Sequence, residues 1–361
     1  MEWSPFRLDA LGLVTLIGAD EVNQAIGRLV ASRYTTFLPL LGQYLIAGNQ
    51  FTKPIPGFTI FNLTDSFRTT SIAGWFSRWL RSQKIKTSTT VFEWTVLSED
   101  QRLSKERRAS LLAGALIVAS MIVLTVLMGD WWGLANSIAL AVSVLVRRIL
   151  VRENNMGLDD SCKRACYSKT PQDTTRVKLL VTLDDGKLVT IYAPRGLVMA
   201  GFLKAPTPVH RSLYTWTRRV GWLFFGVHVI ALGQCNLATQ IITVAVLIGS
   251  TWLVVRGVGC NESEVGNFIQ VQRIPDILQV ADRRIWAYAK LQPTFEEEDS
   301  LSDWHLLPRK VNTAWWEEYH VAKETLRLQN EKSSGISSVV RSDSEISADS
   351  QSSTAKPPLE V

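Results

Sequence analysis

Three polar side chains stand inside long apolar runs: Asn136, His228 and Gln240. Brought together they could line a path for a small solute or a proton. Histidine titrates near neutral pH, and the amides both donate and accept hydrogen bonds. The competing reading of His228 is a neutral imidazole bonded to a neighbouring hydroxyl or carbonyl. No acidic residue falls within these runs, and Asp130 sits between two of them. Ion-coupled transport without an intramembrane acid is hard to build. The four cysteines, Cys162, Cys166, Cys235 and Cys260, match neither a disulfide framework nor a four-donor zinc pattern. Cys162, Cys166 and Cys260 lie beside apolar segments, where S-palmitoylation is the chemistry to set against free thiols. Ser342 and Ser344, flanked by Asp343 and Glu345, suit an acidophilic kinase. The metalloprotease, nucleophile-elbow, Walker and dinucleotide motifs are missing from the sequence. Asp303 and His305 could be drawn as a dyad, as could many exposed pairs. We therefore assign no catalytic residue, no cofactor and no metal ligand.

The elements that must position these residues are two apolar blocks fenced by arginine. The first covers residues 109–151 and breaks at Gly129-Asp130-Trp131-Trp132; the second covers residues 218–256 and breaks near Gln234-Cys235-Asn236. A bilayer core about 30 Å thick takes roughly 20 helical residues to cross. Each block has room for two crossings, which predicts an α-helical integral membrane protein with four transmembrane helices as two hairpins. A small cytosolic α+β layer and a disordered tail complete the predicted fold class. Ala135, Ala139 and Ser143 recur at four-residue spacing, as helix packing in lipid favours.

Arg102, Lys105, Arg107 and Arg108 precede the first block, and Arg147, Arg148 and Arg152 close it. Lys204 and Arg211 precede the second block, Arg218 and Arg219 open it, and Arg256 closes it. Neither turn carries Lys or Arg. Basic residues near helix ends stay cytoplasmic. This places both termini and the middle loop in the cytosol, in a plasma membrane or an endomembrane. Trp131 and Trp132 fit an aromatic belt on the far side. Residues 36–47 are also apolar but short and contain Pro39 and Gly42; they suit a re-entrant segment, with a fifth crossing over residues 29–47 as the alternative.

Six regions follow. Residues 1–108 form a cytosolic region with amphipathic helices, one from Asp20 to about Arg33 and one from Asp65 to about Gln83. The second is basic and aromatic, which favours a membrane-surface position over a cytosolic subdomain. Residues 109–151 and 218–256 are the transmembrane hairpins. Residues 152–217 hold a β-hairpin across Asp184-Asp185-Gly186, a strong turn signal. It is predicted to pair with residues 91–97 or 268–273, and residues 196–203 could add a strand. Residues 257–331 form an α/β segment with an acidic loop at 296–303. Residues 332–361 are Ser-rich and predicted disordered.

Two Arg-fenced hairpins around VKLLVTLDDGKLVTIYAPRG, with the Ser-rich tail, resemble uncharacterised multi-pass integral membrane proteins of filamentous fungi. The resemblance implies no activity, cofactor or site residue. The net charge of +6 then reflects orientation and lipid contact, not nucleic acid. The function expected is a non-catalytic membrane scaffold or adaptor facing the cytosol. Its partners would be the lipid bilayer, cytosolic proteins and possible further copies of itself as a homo-oligomer. Alternatives are a small-molecule transporter or channel subunit and a membrane-embedded lipid-acting enzyme.

Overall fold

A computed structural model describes residues 19–42, 46–98, 108–167, 174–274 and 283–329. The chain forms two compact units, described separately.

The larger unit corrects the predicted fold class. It is built on an eight-stranded mixed sheet, and it is not a four-span helical membrane protein. The strands are β1 (Val30–Ser32), β2 (Thr59–Asn62), β3 (Phe67–Thr69), β4 (Val91–Val96), β5 (Arg176–Thr182), β6 (Leu188–Pro194), β7 (Cys260–Val265) and β8 (Ile269–Ile274), in the order β1-β7-β8-β4-β6-β5-β2-β3. The β5–β6 hairpin closes where predicted. Gly186 has φ of 80°, and Gly186 N–H donates to the Leu183 carbonyl at 3.0 Å. Of the two proposed partners only residues 91–96 pair with the hairpin; residues 269–274 pair with β4 instead, and the hairpin's other edge is taken by β2. β4 pairs with β6 in parallel, Phe92 opposite Ile191, and with β8 antiparallel, Trp94 opposite Val271.

Helix α1 (Ala19–Gly27) precedes β1, and α2 (Gly74–Ser82) lies on the sheet. Trp75, Phe76, Trp79 and Leu80 of α2 are all buried in the sheet core. This corrects the expectation that the helix lies on a lipid surface: its aromatic stripe has a protein partner. Phe76 stacks on Phe202 with centroids 3.9 Å apart, and Trp94 packs edge-on to Trp79 at 4.6 Å. Residues 65–69 are turn and strand instead of helix. Residues 195–202 are helical turns instead of a strand, and they carry Phe202 into the core.

The long helices are α3 (Arg108–Leu127), α4 (Trp131–Cys166), α5 (Arg211–Gln234) and α6 (Leu237–Val255). Three of them, α3, α4 and α6, are long and apolar enough to cross a membrane. The predicted third crossing, α5, does not qualify, because Arg211, Arg218 and Arg219 fall within its first nine residues. The apolar remainder, residues 220–234, spans only about 22 Å at 1.5 Å per residue. Helix α4 is 36 residues long and runs straight through the residues read as the start of a loop. Its distal half buries Leu158, Cys162 and Cys166 against the sheet, a stripe at four-residue spacing.

Gly157 lets the chain pass close by. A Cβ there would lie 2.1 Å from the carbonyl oxygen of Thr207. The obstacle is backbone, so it cannot rotate away. Gly157→Ala is expected to destabilise the unit by about 1–3 kcal/mol, read as a lower thermal midpoint in detergent; an unchanged midpoint would refute the close approach.

The second unit contains α7 (Arg284–Lys290), α8 (Phe295–Asp303) and α9 (residues 313–329). The expected acidic loop at 296–303 is α8. Thr294 and Glu297 form a capping box, with Thr294 N–H to Glu297 Oε2 at 2.8 Å. Glu298 accepts from Tyr319 Oη at 2.9 Å and Lys323 Nζ at 2.6 Å, tying α8 to α9. Burial and the neighbouring Glu298 push the Tyr319 phenol well above its ordinary range. Ser342 and Ser344 lie outside the described residues.

Candidate functional site

The polar residues picked from sequence are only partly brought together. Asn136 and His228 meet: His228 Nδ1 lies 2.6 Å from Asn136 Oδ1, an acceptor, so that nitrogen donates. Asn136 Nδ2 donates in turn to Thr243 Oγ1 at 3.1 Å. The three residues link α4, α5 and α6, and all are buried. Gln240 stands apart; its Nε2 donates to the Cys235 carbonyl at 3.2 Å, and its buried Oε1 has no hydrogen-bond partner among the described residues. This arrangement satisfies polar groups between helices, as buried amides and imidazoles require. Ser137, below Asn136, bonds back to the Gly133 carbonyl at 3.0 Å within its own helix.

Asp130 joins the helix pairs at their far end. Its Oδ1 accepts Gly133 N–H at 2.9 Å and caps α4. Its Oδ2 accepts Asn236 N–H at 2.9 Å and Thr239 Oγ1 at 2.8 Å, at the start of α6. One carboxylate therefore faces two helix N-termini, the ends that favour negative charge.

Residues 35–42 are neither strand nor helix. Leu41 packs among Met121, Leu140, Leu232 and Leu247, one from each long helix. An irregular backbone buried there must have its hydrogen bonds satisfied by protein groups. Ser110 Oγ accepts Phe37 N–H at 3.2 Å, and Thr251 Oγ1 accepts Leu41 N–H at 3.0 Å. Arg147 Nη2 donates to the carbonyls of Thr36 and Leu38, both at 2.7 Å. Gly114 permits the approach, since a Cβ there would lie 2.4 Å from the Phe37 carbonyl oxygen. The expected segment at 36–47 thus includes an inserted loop, and a crossing helix over 29–47 is overturned for the described residues.

A cavity of about 70 Å³ opens beside this loop, where α1, α4 and α6 meet β1. Its cations are Arg28, Arg147 and Arg148, and its hydroxyls belong to Ser32, Thr35 and Thr36. Ile26, Leu40, Val151 and Val254 supply apolar wall. Arg147 is only 6 % exposed. Arg28 pairs with Glu262 at 2.7 Å. A wider basin of about 580 Å³ adjoins it, sharing Ala25, Arg28 and Cys260 and adding Lys84, Arg256 and Arg273. Glu21 and Glu262 are its acids. The combination of guanidinium groups, hydroxyls and apolar wall suits an anionic amphiphile.

Sequence reading treated Arg147 and Arg148 as border charges and passed over Arg28. The signal was present. Adjacent helical residues point about 100° apart, so an Arg-Arg pair at a helix border directs one side chain inward unless both sit at its edge. Cys162 and Cys166 are buried in the sheet core. Cys260 is partly exposed and lines the cavity. Burial pushes its thiol above the ordinary range, with Arg28 opposing. Among the described residues no group of three or more His, Cys, Asp or Glu is placed to hold a metal ion. No protein-family model, curated protein or solved structure matches this chain.

Proposed function

We propose that this chain is an integral membrane protein acting as a non-catalytic scaffold or adaptor, with its sheet presented to the cytosol. Helices α3, α4 and α6 hold it in the bilayer, with α5 packed among them. The observation that carries this reading is the outer surface of the long helices. Leu116, Leu127, Leu223 and Ile230 are 74, 80, 65 and 62 % exposed and sit among further bare apolar side chains. So many bare apolar side chains on the long helices would favour aggregation in water.

The aromatic residues support the same placement. Trp131 and Trp132 are exposed at the far end of α4. Trp216 and Trp252 are exposed at the opposite ends of α5 and α6, each under an arginine: Arg219 at 5.0 Å and Arg256 at 5.4 Å from the ring centroid. Two tryptophan levels, with the basic residues at one of them, are what two bilayer interfaces and the positive-inside rule favour. The sheet lies on the basic side, which makes it the surface for cytosolic partners or a second copy. The Asn136–His228–Thr243 group bonds to itself, which favours helix packing over a solute path.

Alkaline carbonate extraction and thiol labelling test this. Asp185→Cys in a Cys260→Ser background should remain in the membrane pellet and react with an impermeant maleimide after digitonin permeabilisation. Release by carbonate, labelling in intact cells, or labelling only after full solubilisation would refute the placement.

A further inference from the structure

Resting on that membrane placement, we infer that the cavity formed by Arg28, Arg147 and Arg148 binds the phosphate headgroup of an anionic phospholipid. The lining holds three guanidinium groups and, among the described residues, no carboxylate. Glu262, which pairs with Arg28, belongs to the adjoining basin. Arg147 is the telling member. Among the described residues its hydrogen-bond acceptors are two neutral carbonyls, and its neighbour in the wall is another cation, Arg148. A buried cation without a counter-charge costs several kcal/mol, and an anion in the cavity removes that cost.

Arg78 shows the contrast. It too is buried and bonded to carbonyls, those of Gln50, Lys53 and Gly74, but it lines neither of the two cavities. Arg147 and Arg148, by contrast, both line the cavity.

Depth and shape choose the lipid over a free ion. Arg147 lies sixteen residues beyond the exposed Trp131 in one continuous helix, or about 24 Å along its axis. With Trp131 at one interface of a core about 30 Å thick, Arg147 stands about 6 Å inside the other edge, next to the headgroup layer. The cavity, about 70 Å³, is large enough to take a phosphate. Ile26, Leu40 and Val254 offer the apolar contact that a glycerol backbone and its first methylenes need and that inorganic phosphate does not use. Arginine meets phosphate oxygens through paired N–H donors, which fits a headgroup with exposed oxygens better than a zwitterionic one.

The test uses the full chain in a mild neutral detergent with three probes: dioctanoyl phosphatidic acid, dioctanoyl phosphatidylcholine and inorganic phosphate. Phosphatidic acid should raise the thermal midpoint saturably, while the other two leave it in place. Arg148→Gln removes one cation, and with it the contact to the Phe37 ring at 5.6 Å, but leaves the two Arg147 bonds to the loop carbonyls in place. Ala25→Leu fills the cavity without changing charge. Each should weaken the phosphatidic acid response by about tenfold or more, the scale of one lost charge-assisted contact. An equal shift with phosphatidylcholine, an equal shift with inorganic phosphate, or an undiminished response in both variants would overturn the assignment. If either variant fails to fold, the other decides. A chain that resists carbonate but ignores phosphatidic acid loses only this site; a chain released by carbonate loses the membrane placement, whatever it binds.

Discussion

Asp130→Ala is expected to lower the thermal midpoint of the detergent-solubilised chain by roughly 4–8 °C. The carboxylate accepts three hydrogen bonds, from Gly133 N–H, Asn236 N–H and Thr239 Oγ1, and is nearly buried. Bonds to a charged group contribute about 1.5–3 kcal/mol each and are not additive, so the loss is about 3–5 kcal/mol for the site. At about 2.1 cal/mol/K of unfolding entropy per residue, 1 kcal/mol moves the midpoint of a 361-residue chain by roughly 1–2 °C. The cost is concentrated because one side chain serves two helix starts. Alanine leaves the first turns of α4 and α6 with unpaired N–H groups and removes the link between them. Asp130→Asn keeps the shape and one acceptor oxygen, and should fall between alanine and the natural residue. A midpoint for Asp130→Ala within 1 °C of the natural chain would show that the carboxylate is not the joint described here.

The second large effect is at Trp94, in the sheet core. Its ring packs edge-on against Trp75, Phe76, Trp79 and Phe202, with centroids 4.6–6.0 Å apart. It is 2 % exposed. Trp94→Ala should cost about 3–5 kcal/mol, because four rings cannot collapse into the vacated volume. Unlike Trp75 and Trp79, whose indole nitrogens donate to the carbonyls of Gly201 and Glu262, Trp94 Nε1 is buried with no partner among the described residues. Trp94→Phe removes that orphan donor, whose burial costs about 1–3 kcal/mol, along with part of the ring. It should therefore cost less than half as much as alanine. Thermal unfolding and the near-ultraviolet circular dichroism of the tryptophan cluster read both variants. Equal losses for Phe and Ala would show that the indole is held by interactions other than ring packing.

Local signals were legible where a residue's role depends on its near neighbours. Asp184-Asp185-Gly186 specifies a tight turn, and the flanking β-branched runs become β5 and β6. Residues 91–96 become β4 for the same reason. The apolar runs became long helices, because a helix pairs its own backbone groups. Thr294 and Glu297 were legible and were passed over: a capping box turns an acidic stretch into α8. So was the Leu158, Cys162, Cys166 stripe, which carries α4 beyond the basic border at Arg152.

The sequence by itself determined the apolar helical segments, the central hairpin and the one-sided placement of arginine, since each follows from periodicity, turn chemistry or composition within a short window. Only the tertiary structure decided that α2 faces the sheet and not lipid, that residues 35–42 insert among the helices, and that Arg28, Arg147 and Arg148 converge on one cavity. Those outcomes depend on which distant backbone groups need a partner. Arg147 is drawn to the carbonyls of Thr36 and Leu38, more than a hundred residues away, because a buried irregular loop must have its hydrogen bonds satisfied. No short window of sequence contains both halves of that requirement.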